Sequence, residues 1–178
     1  MALTFKIIIT LTGLLGLYQL FRVKDFIVRI ILVLQVISIG IALIPPSPLV
    51  KLIFEHSPKR DIDYAVSQRI TQDILGLGLW FFIIAAALVI IYALTKRGFT
   101  PLKRLLLIFA SLPVLLVPLF GKYHWPYAYQ IRWAMAIPVL ACILMIVNGI
   151  WHYKNELGFL AILGVSAALQ LSLKLINP

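Results

Sequence analysis

Six stretches of this sequence, each about the length that carries a helix across lipid, hold almost no charge. They run from Phe5 to Phe21, Phe26 to Ile44, Ile74 to Leu94, Leu102 to Phe120, Ile131 to Trp151 and Leu157 to Ile176. A spanning helix needs about 20 apolar residues, within a range of about 17 to 25. In hydrocarbon every backbone amide and carbonyl must find its partner inside the protein, so only helices and closed barrels cross a bilayer. The alternating polarity of a barrel strand is absent. The expectation is therefore an all-α, polytopic membrane protein: one domain over residues 1–178, built as a six-helix transmembrane bundle. Composition agrees, since 12% charged residues and a mean hydropathy of +1.04 lie far from soluble domains, in which about 25% of residues are charged.

The first two runs are joined by Arg22-Val23-Lys24-Asp25, room for a tight helical hairpin only. The first run ends in Tyr18-Gln19-Leu20-Phe21-Arg22 without the small residues of a cleavage site, and reads as a membrane helix rather than a signal peptide. The sixteen cations give a formal charge of +10. They sit at the ends of apolar runs, where they anchor and orient spans, so nucleic acid is not an expected partner.

Cations in short connections set orientation. Arg22 and Lys24 lie in the first, and Lys96, Arg97, Lys103 and Arg104 surround the third with no acid among them. The expected topology puts these connections in the cytoplasm and both termini outside, in a bacterial-type inner membrane or its equivalent. The cluster Lys96, Arg97, Lys103 and Arg104 brackets the turn Gly98-Phe99-Thr100-Pro101 and is a candidate for binding anionic lipid headgroups.

The one long polar stretch, 45–73, holds four of the six acids. Pro45-Pro46 stops the second run. From Asp61 the apolar residues Ile62, Val66, Ile70 and Ile74 recur every four positions, which predicts an amphipathic helix running into the third span. Any chemistry belongs here first. Asp61 and Asp63 form an Asp-x-Asp pair of the kind that holds a divalent ion, and Glu55 and His56 fall on the same expected side as His124, a set suited to acid–base work. These five are weak catalytic candidates. Lys59 and Arg60 beside the Asp pair are a simpler explanation of it, and neither a metal nor a cofactor is expected.

Inside the bilayer no ionisable group falls near the middle of a run, which argues against a proton-driven carrier. Gln35 and Asn148, with the helix-interrupting Pro113 and Pro138, mark a possible cavity. Ala161, Gly164, Ala168 and Ser172 share one face of the last run and predict a helix-packing seam. Cys142 lies within an apolar run and reads as core packing. These features favour a non-catalytic subunit or accessory factor of a larger membrane complex, in contact with anionic lipids and with other subunits or further copies of itself. The alternatives are a transporter of small solutes or lipids, and a membrane enzyme that uses the 45–73 connector on lipid-linked substrates.

Overall fold

The computed structural model describes residues 2–43, 63–122, 128–148 and 150–176. All regular structure among them is helical. Helix α1 spans Ala2–Arg22, α2 Phe26–Leu43, α3 Asp63–Thr95 and α4 Pro101–Lys122. A short α5, Ala128–Ile131, leads through a 3-10 turn, Arg132–Met135, into α6, Ala136–Val147. A second 3-10 turn, Ile150–Tyr153, precedes α7, Leu157–Ile176.

Among the described residues three helices are long and apolar enough to cross a membrane: Phe26–Leu43, Gln72–Thr95 and Pro101–Gly121. The apolar helical parts of the fifth and sixth expected spans are shorter, Trp133–Val147 and Leu157–Ser172. An uninterrupted helix over Ile131–Trp151 is therefore not what forms. Pro138 supplies the reason: it has no N–H for the carbonyl of Ala134, and its ring crowds that turn. The chain winds as a tighter 3-10 turn over Arg132–Met135 before α6 begins, and α6 ends at Asn148, whose amide bonds the Leu144 carbonyl at 2.8 Å. In α4, by contrast, the helix continues through both Pro113 and Pro118.

The amphipathic segment expected to lead into the third span does join it, because α3 is one helix of 33 residues. At about 1.5 Å per residue it is about 50 Å long, well over the roughly 30 Å of hydrocarbon.

Two helix starts have a clear local cause. Asp25 caps α2, its Oδ1 accepting the amides of Ile27 at 3.1 Å and Val28 at 3.5 Å. Thr100 caps α4, accepting the Lys103 amide at 3.3 Å, with Pro101 at the first helical position, where its missing donor costs nothing. Between α3 and α4 the backbone reverses at Gly98, whose φ of +90° strains any side-chain-bearing residue.

The helices pack as a closed ring. Contacts run α1 to α2, α2 to α3, α3 to α4, α4 to α6, α6 to α7 and α7 back to α1, with α7 also reaching α2 and α4. The core lies inside this ring: Val28, Ile31 and Leu32 of α2, Ala85, Ala86 and Val89 of α3, Leu107, Ala110 and Val114 of α4, and Phe159 and Leu163 of α7 are buried. Large apolar side chains such as Leu11, Phe21, Phe26, Leu94 and Val147 face outward, as a lipid solvent allows, because lipid tails are no less apolar than leucine.

Candidate functional site

Most of the polar contacts between elements among the described residues gather at one end of the ring, where the connections α1–α2, α3–α4 and α6–α7 meet. Two ion pairs define it. Lys96, at the end of α3, pairs with Asp25, the cap of α2. Lys103, in the first turn of α4, lies 3.0 Å from Glu156, which directly precedes α7.

The second pair is the more deeply set. The Glu156 side chain is only 2% exposed and that of Lys103 15%. Lys103 Nζ also donates to the His152 carbonyl at 3.0 Å and sits 4.3 Å above the Phe99 ring and 5.2 Å from that of Tyr153, both cation–π distances. Glu156 Oε1 accepts the Tyr92 hydroxyl at 3.1 Å. Tyr92, fully buried, makes edge contacts with Phe99 and Phe159 at 5.2 and 6.5 Å. Asn148 donates to the Tyr153 hydroxyl at 3.2 Å. One lysine and one glutamate thus tie α3, α4, the 3-10 turn and α7, with aromatic rings packed around the charges.

Lys96 is 44% exposed, and its ammonium lies 5.7 Å from the Tyr92 ring. Arg104 donates to the Lys96 carbonyl at 3.3 Å, while its buried Nε has no partner. Burial of Asp25 would raise its carboxyl pKa, but the Lys96 hydrogen bond, the Val28 amide, the Lys96 charge and the Ile27 amide outweigh burial and hold it below the usual carboxylate range. A carboxyl depressed on folding contributes stability above its unfolded pKa, and that contribution is lost as pH falls through the folded value. We expect thermal unfolding temperature to fall as pH drops below about 4 and the fall to be shallower in Asp25→Asn. Equal acid slopes for the two proteins would show that the pair adds nothing.

A third set of bonds closes the ring between α1 and α7. Gln19, buried in α1, donates Nε2 to the Lys154 carbonyl at 2.5 Å and accepts the Gly158 amide on Oε1. Gly158 permits this close approach: an added Cβ would fall on the Gln19 amide and lie 3.1 Å from Leu32, so both side chains would have to shift.

A cavity of about 300 Å³ opens among α1, α2, α3 and α7, walled by apolar residues such as Ile39, Leu79, Phe82 and Ile162, with Thr12, Ser38, Ser166 and Gln170 as its polar groups.

The sequence candidates distribute as follows. Glu55, His56, Asp61 and His124 lie outside the described residues, as does the Asp63 side chain, although Asp63 opens α3. Of the basic cluster, Lys96 and Lys103 are neutralised by acids from other connections, Arg104 is engaged with backbone, and Arg97 is exposed. Gln35, Pro113, Pro138 and Asn148 line none of the three concavities described for this structure. Gln35 Nε2 reaches the Phe159 carbonyl at 3.4 Å with its Oε1 unpartnered, both prolines are buried, and Asn148 belongs to the polar end. The small-residue face of α7 divides. Gly164 abuts Cys142 of α6 and, with Ala161, lines a groove of about 230 Å³; Ala168 is exposed, and Ser172 bonds the Leu169 carbonyl at 2.8 Å. Cys142 lies over the Leu160 carbonyl at 3.6 Å.

Sequence reasoning passed over Asp25, Tyr92 and Glu156. A signal existed: Asp25 and Glu156 are the two acids outside the connector, and each stands immediately before an apolar run. Among the described residues no group of three His, Cys, Asp or Glu side chains could hold a metal. Comparison with family models, with curated proteins and with solved structures finds no match to this chain.

Proposed function

We propose that this protein is a non-catalytic, multi-pass subunit or accessory factor of a larger membrane assembly. In this reading all six apolar stretches cross the membrane, both termini lie outside, and the polar end of the ring faces the cytoplasm. The supporting observation is the closure of that polar end. The buried Glu156 is consumed by Lys103 and Tyr92, and Asp25 by Lys96 and two backbone amides. Catalysis or a proton relay needs an ionisable group poised to change state, and these groups have their bonding capacity turned on one another. Such a network fixes the relative positions of helices, which is the requirement on a scaffold.

Gentle detergent extraction from the native membrane, followed by native mass and identification of what co-purifies, tests this. The expected result is a stoichiometric partner of unrelated sequence. A chain that runs alone or as a small homo-oligomer would remove the subunit reading. A second reading, lipid handling, is favoured by the cavity of about 300 Å³ among α1, α2, α3 and α7, whose volume is at the lower end for small-molecule sites. Flux and lipid-turnover assays on the isolated protein then become the deciding measurements.

A further inference from the structure

A third concavity, of about 320 Å³, lies beside the polar end, between the last turn of α1 and the segment that enters α7. Its lining differs in kind from the other two. Arg22 comes from one side and Lys154 from the other, with Tyr18, Asn155 and Gln19 between them and Leu15, Val23 and Leu157 forming the apolar part. There is no carboxylate in that lining. Among the described residues the two ion pairs take Lys96 and Lys103, leaving Arg22 and Lys154 outside any ion pair. The neighbouring acids do not change this, because Asp25 is turned to Lys96 and Glu156 to Lys103.

The backbone segments that carry the two cations are tied to each other. Gln19 bonds both the Lys154 carbonyl and the Gly158 amide, so the Lys154 segment cannot swing away from α1. Arg22 is held over the Tyr18 ring, 5.0 Å from its centroid. The Gly158 amide is already occupied, which leaves guanidinium, ammonium, the Asn155 amide and the Tyr18 hydroxyl as donors toward whatever enters. Both walls end apolar helices, so the opening lies at headgroup depth when those helices are in lipid.

We propose that this concavity binds the phosphodiester headgroup of one anionic membrane lipid, with Arg22 and Lys154 as the charge partners, Tyr18 and Asn155 as hydrogen-bond donors, and the first carbons of the acyl chains against Leu15 and Leu157. Basic pockets between helices at a membrane surface recognise anionic headgroups in this way, and guanidinium gives two-point contact with a phosphate. The site differs from the basic turn at residues 96–104, whose lysines are spent on internal pairs. It holds whether or not the chain works as a subunit.

Native mass spectrometry of the full chain in neutral detergent, titrated with phosphatidylglycerol or with phosphatidylcholine of the same acyl chains, tests the site. One phosphatidylglycerol is expected to stay bound per chain, with phosphatidylcholine weaker by at least about tenfold, about 1.4 kcal/mol. Arg22→Gln/Lys154→Gln should weaken that binding by about thirtyfold, about fivefold for each cation. The charge-matched control Lys24→Gln/Arg97→Gln removes two exposed cations from the same end and should leave it within about twofold of wild type. If the double variant melts early, Lys154→Gln alone, which keeps the backbone carbonyl that Gln19 uses, should still show about a fivefold loss. Equal losses in the control would mean a diffuse field and no site. Equal binding of phosphatidylcholine, or displacement of phosphatidylglycerol by excess inorganic phosphate, would overturn the assignment to an anionic lipid.

Discussion

Replacing Lys103 by methionine is expected to destabilise the protein by about 3–5 kcal/mol, the usual consequence of stranding one member of a buried ion pair. The carboxylate left behind has almost no access to water, and its remaining partner is the Tyr92 hydroxyl. Glu156→Gln is milder, about 1–3 kcal/mol, because the amide still accepts from Tyr92 and the lysine ammonium can extend toward the interface along its flexible stem. The double variant Lys103→Met/Glu156→Gln should lose clearly less than the sum of the two, by at least about 1 kcal/mol. Thermal or denaturant unfolding of the four proteins in one detergent gives this cycle directly. Strictly additive losses would show that the two charges do not stabilise one another, and with that the closed network would lose its place in the argument for a scaffold.

Gly158→Ala carries the second large effect. The new methyl must displace the Gln19 amide and press on Leu32, so overpacking of about 1–3 kcal/mol is added to the loss of bonds between α1 and α7. Destabilisation of about 2–4 kcal/mol is expected. Combining it with Gln19→Ala should cost little more, since the same bonds are already gone. Gly40 and Gly76 supply the comparison: nothing lies within 4 Å of an added Cβ at either, and alanine there should be neutral or stabilising by up to about 1 kcal/mol. A Gly158→Ala protein that melts with the Gly40→Ala protein would mean that Gln19 yields freely and the contact is incidental.

Helix positions were legible in the sequence because lipid imposes a simple condition, a long run with few charges. Phe26–Leu43, Gln72–Thr95 and Pro101–Gly121 meet it almost to the residue. The fifth run also meets it in composition, and Pro138 marks it as open to interruption; what the sequence does not register is that this proline leaves a 3-10 turn at Arg132–Met135 while Pro113 and Pro118 leave α4 continuous. The polar turn Gly98 to Pro101 was visible as a turn, since glycine, threonine and proline each have a positional reason to be there. Partners of the charged groups were not visible. Tyr92 and Glu156 are 64 residues apart, and Asp25 and Lys96 are 71 apart; which connection meets which depends on the order of helices around the ring, and hydrophobic periodicity carries no record of that order. The basic turn therefore read as four free cations, although two of them are matched by acids from elsewhere in the chain. The site at Arg22 and Lys154 was hidden for the same reason, since its halves come from the two helices that close the ring.

That closure bears on how the protein is made. The bonds from Gln19 reach 135 and 139 residues along the chain, so on the six-span reading proposed above α1 would enter the membrane with a polar amide whose partners do not yet exist. At about 5–20 residues per second, about 7–28 seconds pass before Gly158 is synthesised. Through that interval the amide must be satisfied by the translocation machinery, by water at the interface or by a transient neighbour, and the first helix made is among the last to find its final place.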